Sequence, residues 1–151
     1  MIILGGIVIG TNIIVKTNNK DFKQDPDFYK ALGNYLAEQG EYDKAILAYE
    51  SCLLLGENME VRNNLAILYY KQGRYSEAIN QLRKLITLEP DNPSYHYDLA
   101  INLVDRFRNT QEQDLNDLIE ALKEYELVEE LEPGYAHAKE NMEVLKRILN
   151  K

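Results

Sequence analysis

From Asp25 onward the apolar positions recur at steps of three and four residues. Leu32 and Leu36, then Ala45, Ala48, Tyr49, Cys52 and Leu53, fall on one stripe of a helical surface. Asp25-Pro26 and Asn92-Pro93 read as a cap followed by a first helical turn. Gly40 and Gly73 read as helix ends, where a left-handed backbone costs glycine least. Pro90 and Pro133 read as stops, because a proline lacks the amide and clashes with the preceding turn. The pattern predicts helices near 26–38, 42–55, 59–72, 75–88, 93–108 and 114–131. It predicts a seventh over 134–150, with Tyr135, Ala138, Met142, Leu145 and Leu149 as its apolar stripe. Lys139, Lys146, Arg147 and Lys151 lie on that helix's polar side, and the last three suit the negative end of a helix dipole.

The helices repeat. LGNYLAEQGEYDKAILAYESCLLL returns 33 residues later as LAILYYKQGRYSEAINQLRKLITL. Leu65-Ala66 and Tyr69 return after a further 34 residues as Leu99-Ala100 and Leu103. Ala78, Leu82 and Pro90 return only after 43 residues, as Ala121, Tyr125 and Pro133. The third copy therefore carries a nine-residue insertion between Asp105 and Leu118, and its polar run Asn109–Gln113 predicts a surface loop or extra turn. Gly33, Ala66 and Ala100 are small where two helices of a pair approach, and Ala45, Ala78 and Ala121 are small on the facing helix.

This pattern resembles the tetratricopeptide repeat family. Leu32-Gly33, Leu36, Gly40, Tyr42, Ala45, Tyr49 and Cys52 carry the resemblance in the first copy. Leu65-Ala66, Tyr69, Gly73, Tyr75, Ala78, Leu82 and Pro90 carry it in the second. Leu99-Ala100, Leu103, Ala121, Tyr125 and Pro133 carry it in the third, which lacks the Gly-x-Tyr turn; the first copy closes on Glu57 instead of proline. The resemblance implies an all-α solenoid of three helix pairs, over about 26–58, 59–91 and 93–133. The helix over 134–150 closes it, burying one face and solvating the other.

The 151 residues are 45% hydrophobic and 28% charged, enough to build a core. With 25 acidic against 17 basic residues the formal charge is −8, which argues against nucleic acid as a partner. Lone Cys52 excludes an internal disulfide, and two histidines, His96 and His137, leave little for a metal site or histidine catalysis. No phosphate-binding glycine loop, nucleophile elbow or zinc spacing is present. The expectation is a non-catalytic protein with no cofactor and no metal, binding a protein or peptide. His96 and His137 are expected to be structural, and Cys52 a buried inert thiol.

The resemblance places ligands in a groove lined by the first helix of each pair. The positions so implied are Lys30 and Asn34, then Asn63, Asn64, Ile67, Tyr70 and Lys71, then Tyr97, Ile101 and Val104. Some family members clamp the terminal carboxylates of heat-shock chaperone tails. Lys30, Asn34 and Asn64 match three of those five positions, but Ser94 and Asp98 stand where two basic residues are expected. Asp98 would repel a carboxylate. A groove that hydrogen-bonds a peptide through Asn34 and Asn64 fits better, with Ile67, Tyr70, Ile101 and Val104 as an apolar floor or as internal packing. Residues 111–133 hold nine acids and one base, and such a run reads as a solvated face or as a dock for a basic partner.

The composition breaks sharply near Lys16 to Lys20, dividing the chain into 1–20 and 21–151. Ile2, Ile3, Leu4, Ile7, Val8, Ile9, Ile13, Ile14 and Val15 sit in a stretch with no charge at all. It is shorter than the roughly 20 apolar residues of a membrane span, and no positive start precedes it as in a leader. Three readings stay open: a membrane anchor or processed leader, a segment packing on another copy, or one folding back on its own repeats. The favoured expectation is a scaffold or self-assembling subunit whose N-terminal segment packs on a neighbouring copy. The alternative is an envelope-anchored adaptor binding a peptide in its groove, with the cell envelope or outer surface favoured over the cytoplasm.

Overall fold

A computed structural model describes residues 25–111 and 113–150. The composition break and the expected assembly or anchor residues, Ile2 to Val15, lie outside the described residues. Among those described there are seven α-helices and no strand: α1 (Pro26–Glu38), α2 (Tyr42–Leu55), α3 (Met59–Lys71), α4 (Tyr75–Leu88), α5 (Pro93–Asn109), α6 (Leu115–Leu131) and α7 (Ala138–Ile148). They fall into two compact units, one through Val61 and one from Arg62.

Local chemistry starts and stops these helices as the pattern predicts. Asp25 Oδ1 accepts from the amides of Asp27 (3.0 Å) and Phe28 (3.3 Å), and Asn92 Oδ1 accepts from Ser94 N at 3.1 Å, each ahead of a proline in the first turn. Gly40 and Gly73 hold φ of +74° and +70°. There the amides of Glu41 and Arg74 reach back to Leu36 O (2.9 Å) and Tyr69 O (2.8 Å), which closes the helix in the same way twice.

In the first unit α1 packs on α2 across Gly33 and Leu36 on one side and Ala45, Ala48, Tyr49 and Cys52 on the other. A Cβ placed on Gly33 would lie 2.4 Å from the Tyr49 ring, which is why this position must be glycine. Tyr49 donates its hydroxyl to Asn34 Oδ1 at 2.7 Å. Cys52 is fully buried, as expected, and its thiol donates to Pro26 O at 3.2 Å. Burial pushes that thiol's pKa up, which keeps it protonated and unreactive.

The second unit buries Leu65, Tyr69, Ile79, Leu82, Leu85, Leu99, Leu103, Leu118, Tyr125 and Val128. The insertion is not merely a loop. It lengthens α5 and α6 to 17 residues each, against 13 and 14 for α1 and α2. The added turns are tied by Arg106, whose Nε and Nη2 donate to the two carboxylate oxygens of buried Asp117 at 2.8 and 2.6 Å. This fork stands where the third copy lacks the Gly-x-Tyr turn.

Two expectations need correction here. The final helix begins at Ala138, not at residue 134. Gly134 and Ala136 both have left-handed φ, +81° and +46°, so the chain turns before it enters the helix. Tyr135 still packs, but from that turn, edge-on to Tyr97 with ring centroids 5.6 Å apart. The acidic run is also not simply a solvated face. Asp114 caps α6, Asp117 holds Arg106, Glu120 binds Arg83, Glu124 meets His96, Glu126 pairs with Lys146, and Glu129 accepts from Gly134 N. These contacts tie α6 to α4, α5 and α7.

Candidate partner-binding site

The site grows out of one helical repeat in the second unit. Asn63, Ala66, Ile67 and Tyr70 are spaced three and four apart on α3, and Asp98, Ile101 and Asn102 do the same on α5. With Leu82 of α4 they line a cavity of about 140 Å³. The walls are mainly aliphatic, and Ile67 stays 42% exposed although its neighbours Leu65, Ala66 and Leu68 are buried.

The polar groups around it are unevenly satisfied. Tyr70 Oη donates to Asp105 Oδ2 at 2.7 Å, and that bond, with burial, pushes the phenol up to about 12. Asn102 Nδ2 donates to Asp98 O at 2.9 Å. The amide orientation is fixed by this bond, since the reverse would set two oxygens together. Asn102 is 4% exposed, and its Oδ1 is buried with no hydrogen-bond partner. The Asp98 carboxylate has no hydrogen bond or ion pair among the described residues. Burial alone pushes it up to about 6.

The structure sorts the positions implied by the repeat pattern. Asn63, Ile67, Tyr70 and Ile101 meet at this cavity. Val104 lines a different one, about 340 Å³, among Phe107, Leu118, Tyr125, Val144, Leu145 and Ile148. Tyr97 is spent in an aromatic trio, edge-on to Tyr125 at 5.7 Å and to Tyr135. In the first unit Lys30 is paired with Glu60, which holds its ammonium pKa above the ordinary value, and Asn34 accepts from Tyr49. Asn64 is half-buried and Lys71 exposed, and neither lines the cavities described. His96 is buried, its Nδ1 2.6 Å from Glu124 Oε2 and its Nε2 2.6 Å from Pro90 O, so it serves to join α5 to α6 and to the turn before it.

Ala66, Leu82 and Asn102 were not among the expected site residues, and Asp98 was expected only as a position that would repel a carboxylate. A signal for Asn102 did exist. The 34-residue offset sets it opposite Leu68, so a polar side chain stands where the repeat buries an aliphatic one. Among the described residues no group of three metal-binding side chains occurs, and no helix is long and apolar enough to cross a membrane.

Comparison with known proteins agrees with the repeat register. A tetratricopeptide repeat family model matches residues 29–62, and a TPR repeat model matches 66–102. The photosystem I assembly protein Ycf3 of Prochlorococcus marinus (strain NATL2A) is 30% identical over 103 residues, 65% of this chain and 60% of that protein. The BBSome complex member bbs-4 of Caenorhabditis elegans is 34% identical over 73 residues, 48% of this chain and 16% of that one. The chain thus spans at most about 60% of the length of these curated relatives. Among solved structures, the first TPR of Spaghetti (RPAP3) bound to an HSP90 peptide is 25% identical, with a TM-score of 0.65 over 85% of this chain and 96% of that one. The crystal structure of MamA, 16% identical, has a TM-score of 0.70 over 84% and 70%, a likeness of fold alone. The chain carries tetratricopeptide repeats over residues 29–62 and 66–102, and its described residues share the all-α solenoid fold of tetratricopeptide repeat proteins.

Proposed function

We propose that this chain is a non-catalytic scaffold subunit that associates with itself. The α3–α5 cavity receives an apolar segment, and the segment is the N-terminal stretch of a neighbouring copy. The observation that carries this reading is the open aliphatic cavity around Ile67 and Ile101. It stands open where Lys30 and Asn34 of the first unit are already paired within the chain. The peptide-bound state of the Spaghetti relative supports a peptide as the kind of ligand. The apolar stretch over residues 1–15 supplies a matching occupant. Burying one large aliphatic side chain is worth about 1.5–3 kcal/mol, and ordering a residue costs about 1–2 kcal/mol, so the segment is held only where most of its side chains are covered. A neighbour supplies that cover. Such a contact is head-to-tail, and closes into a ring or extends as a filament.

Sedimentation velocity of the full chain tests it against Ile3→Asp/Ile9→Asp. The parent is expected to form concentration-dependent assemblies, and the double variant to sediment as a monomer with the same helical circular dichroism. Equal sedimentation of the two refutes self-association. Parent protein that floats with lipid vesicles instead of assembling establishes the envelope-anchored adaptor.

A further inference from the structure

The α3–α5 cavity offers more acceptor than donor capacity, its open donors being amide N–H groups of Asn63 and Asn102. Tyr70 has spent its hydroxyl proton on Asp105, and Asn102 has spent one of its two amide N–H groups on Asp98 O. What remains open is the Asp98 carboxylate, without a partner among the described residues, the buried orphan Asn102 Oδ1, and the neutral Asn63 amide, which carries no charge to compensate. A buried acceptor without a partner, beside an uncompensated charge, is costly unless something completes it. An ammonium group does so with three donors and no acceptor of its own. The aliphatic walls Ala66, Ile67, Leu82 and Ile101 suit the methylene stem of a lysine, which packs on apolar surface while its head finds polar partners. The size agrees, since a cavity of about 150 Å³ holds a single benzene-sized group.

We propose that Asp98 and Asn102 make this cavity a reader of one lysine carried in an apolar segment, and that its occupant is Ile13-Ile14-Val15-Lys16 of a neighbouring copy. Charge complementarity selects this stretch. Residues 1–20 hold Lys16 and Lys20 and no acid, while the rest of the chain carries 25 acids against 15 bases. Lys16 directly follows three β-branched aliphatic residues, whereas Lys20 sits among Thr17, Asn18 and Asn19. The cavity thereby rejects a carboxylate-ended tail of the kind that the Spaghetti relative's HSP90 peptide, SRMEEVD, presents. The assignment rests on the self-association proposed above and names its specificity.

The test is fluorescence anisotropy with a labelled peptide of residues 11–20, TNIIVKTNNK, on the full chain carrying Lys16→Gln so that its own segment competes least. The peptide is expected to bind. Its Lys16→Gln counterpart is expected to bind about tenfold more weakly, and SRMEEVD not at all. In an Asp98→Asn background, isosteric and checked for an unchanged helical spectrum, the two N-terminal peptides are expected to bind alike. Absence of binding, equal binding of the two peptides to the Asp98 protein, or discrimination that survives Asp98→Asn overturns the assignment. Sedimentation of full-length Asp98→Asn separates the two levels. Assembly that Ile3→Asp/Ile9→Asp abolishes but Asp98→Asn leaves intact preserves self-association and overturns the cavity as its reader. Peptide discrimination without any assembly preserves the cavity's chemistry and removes self-association.

Discussion

Gly33 and Asp98 show how much one side chain decides here. A methyl group on Gly33 meets a Tyr49 ring that is 2% exposed and cannot swing aside. Gly33→Ala is expected to cost about 1–3 kcal/mol and Gly33→Leu more, read from denaturant midpoints. Tyr49→Phe keeps the ring, loses the bond to Asn34, and costs about 0.5–1.5 kcal/mol. Asp98 works the other way. Its carboxyl is raised from 3.8 to about 6 in the folded chain, so folding favours the protonated form. The native state then binds more proton than the unfolded state between those values, and stability falls as pH rises from about 4 to 6. Asp98→Asn removes that slope: its advantage over the parent grows across this window and is constant above it. Urea melts at pH 4, 5, 6 and 7 measure this. The smallness of Gly33 was legible from its alignment with Ala66 and Ala100. The isolation of Asp98 was not, because the pattern places it on α5 without saying whether a partner reaches it.

At the scale of elements, the repeat spacing gives all six helices of the three pairs to within a residue at each end. Cap and stop chemistry are local, so they can be read from neighbours in sequence. The last helix was misplaced by four residues at its start, since Ala136 takes a left-handed φ that alanine does not advertise. The insertion was legible in position, in length and as a surface loop or extra turn, but the contact that holds those turns was not. Its turns become helix because Arg106 finds Asp117, eleven residues away and on the next helix. Asp117→Ala leaves that guanidinium without its fork and is expected to cost about 3 kcal/mol, seen as a lower thermal midpoint. Doubling the α5–α6 link after Gln111 with Gly and Ser is expected to cost only about 0.6 kcal/mol. The acidic residues of α6 escaped reading for the same reason. Arg83, His96 and Lys146 lie 37, 28 and 20 positions away from their partners, and contacts at that range come from the fold.

Over the whole molecule, the division of charge and grease is the feature that gives the repeats a task. An uncharged aliphatic N-terminus and two lysines precede a body in which acids outnumber bases by ten. The repeats place an apolar, acceptor-rich cavity on α3 and α5. The repeats and the helix pairs were legible in the sequence, and half of the cavity's lining with them: Asn63, Ile67, Tyr70 and Ile101. The most direct measurement is photo-cross-linking of the full chain with p-benzoylphenylalanine at Asn63, on the cavity wall. An equal mixture of unlabelled and nitrogen-15-labelled protein is irradiated, and the cross-linked peptides are read by mass spectrometry. Self-association through this cavity yields mixed-isotope products joining position 63 of one copy to residues 1–16 of another. Products confined to a single isotope, or joining position 63 to any other segment, would contradict it.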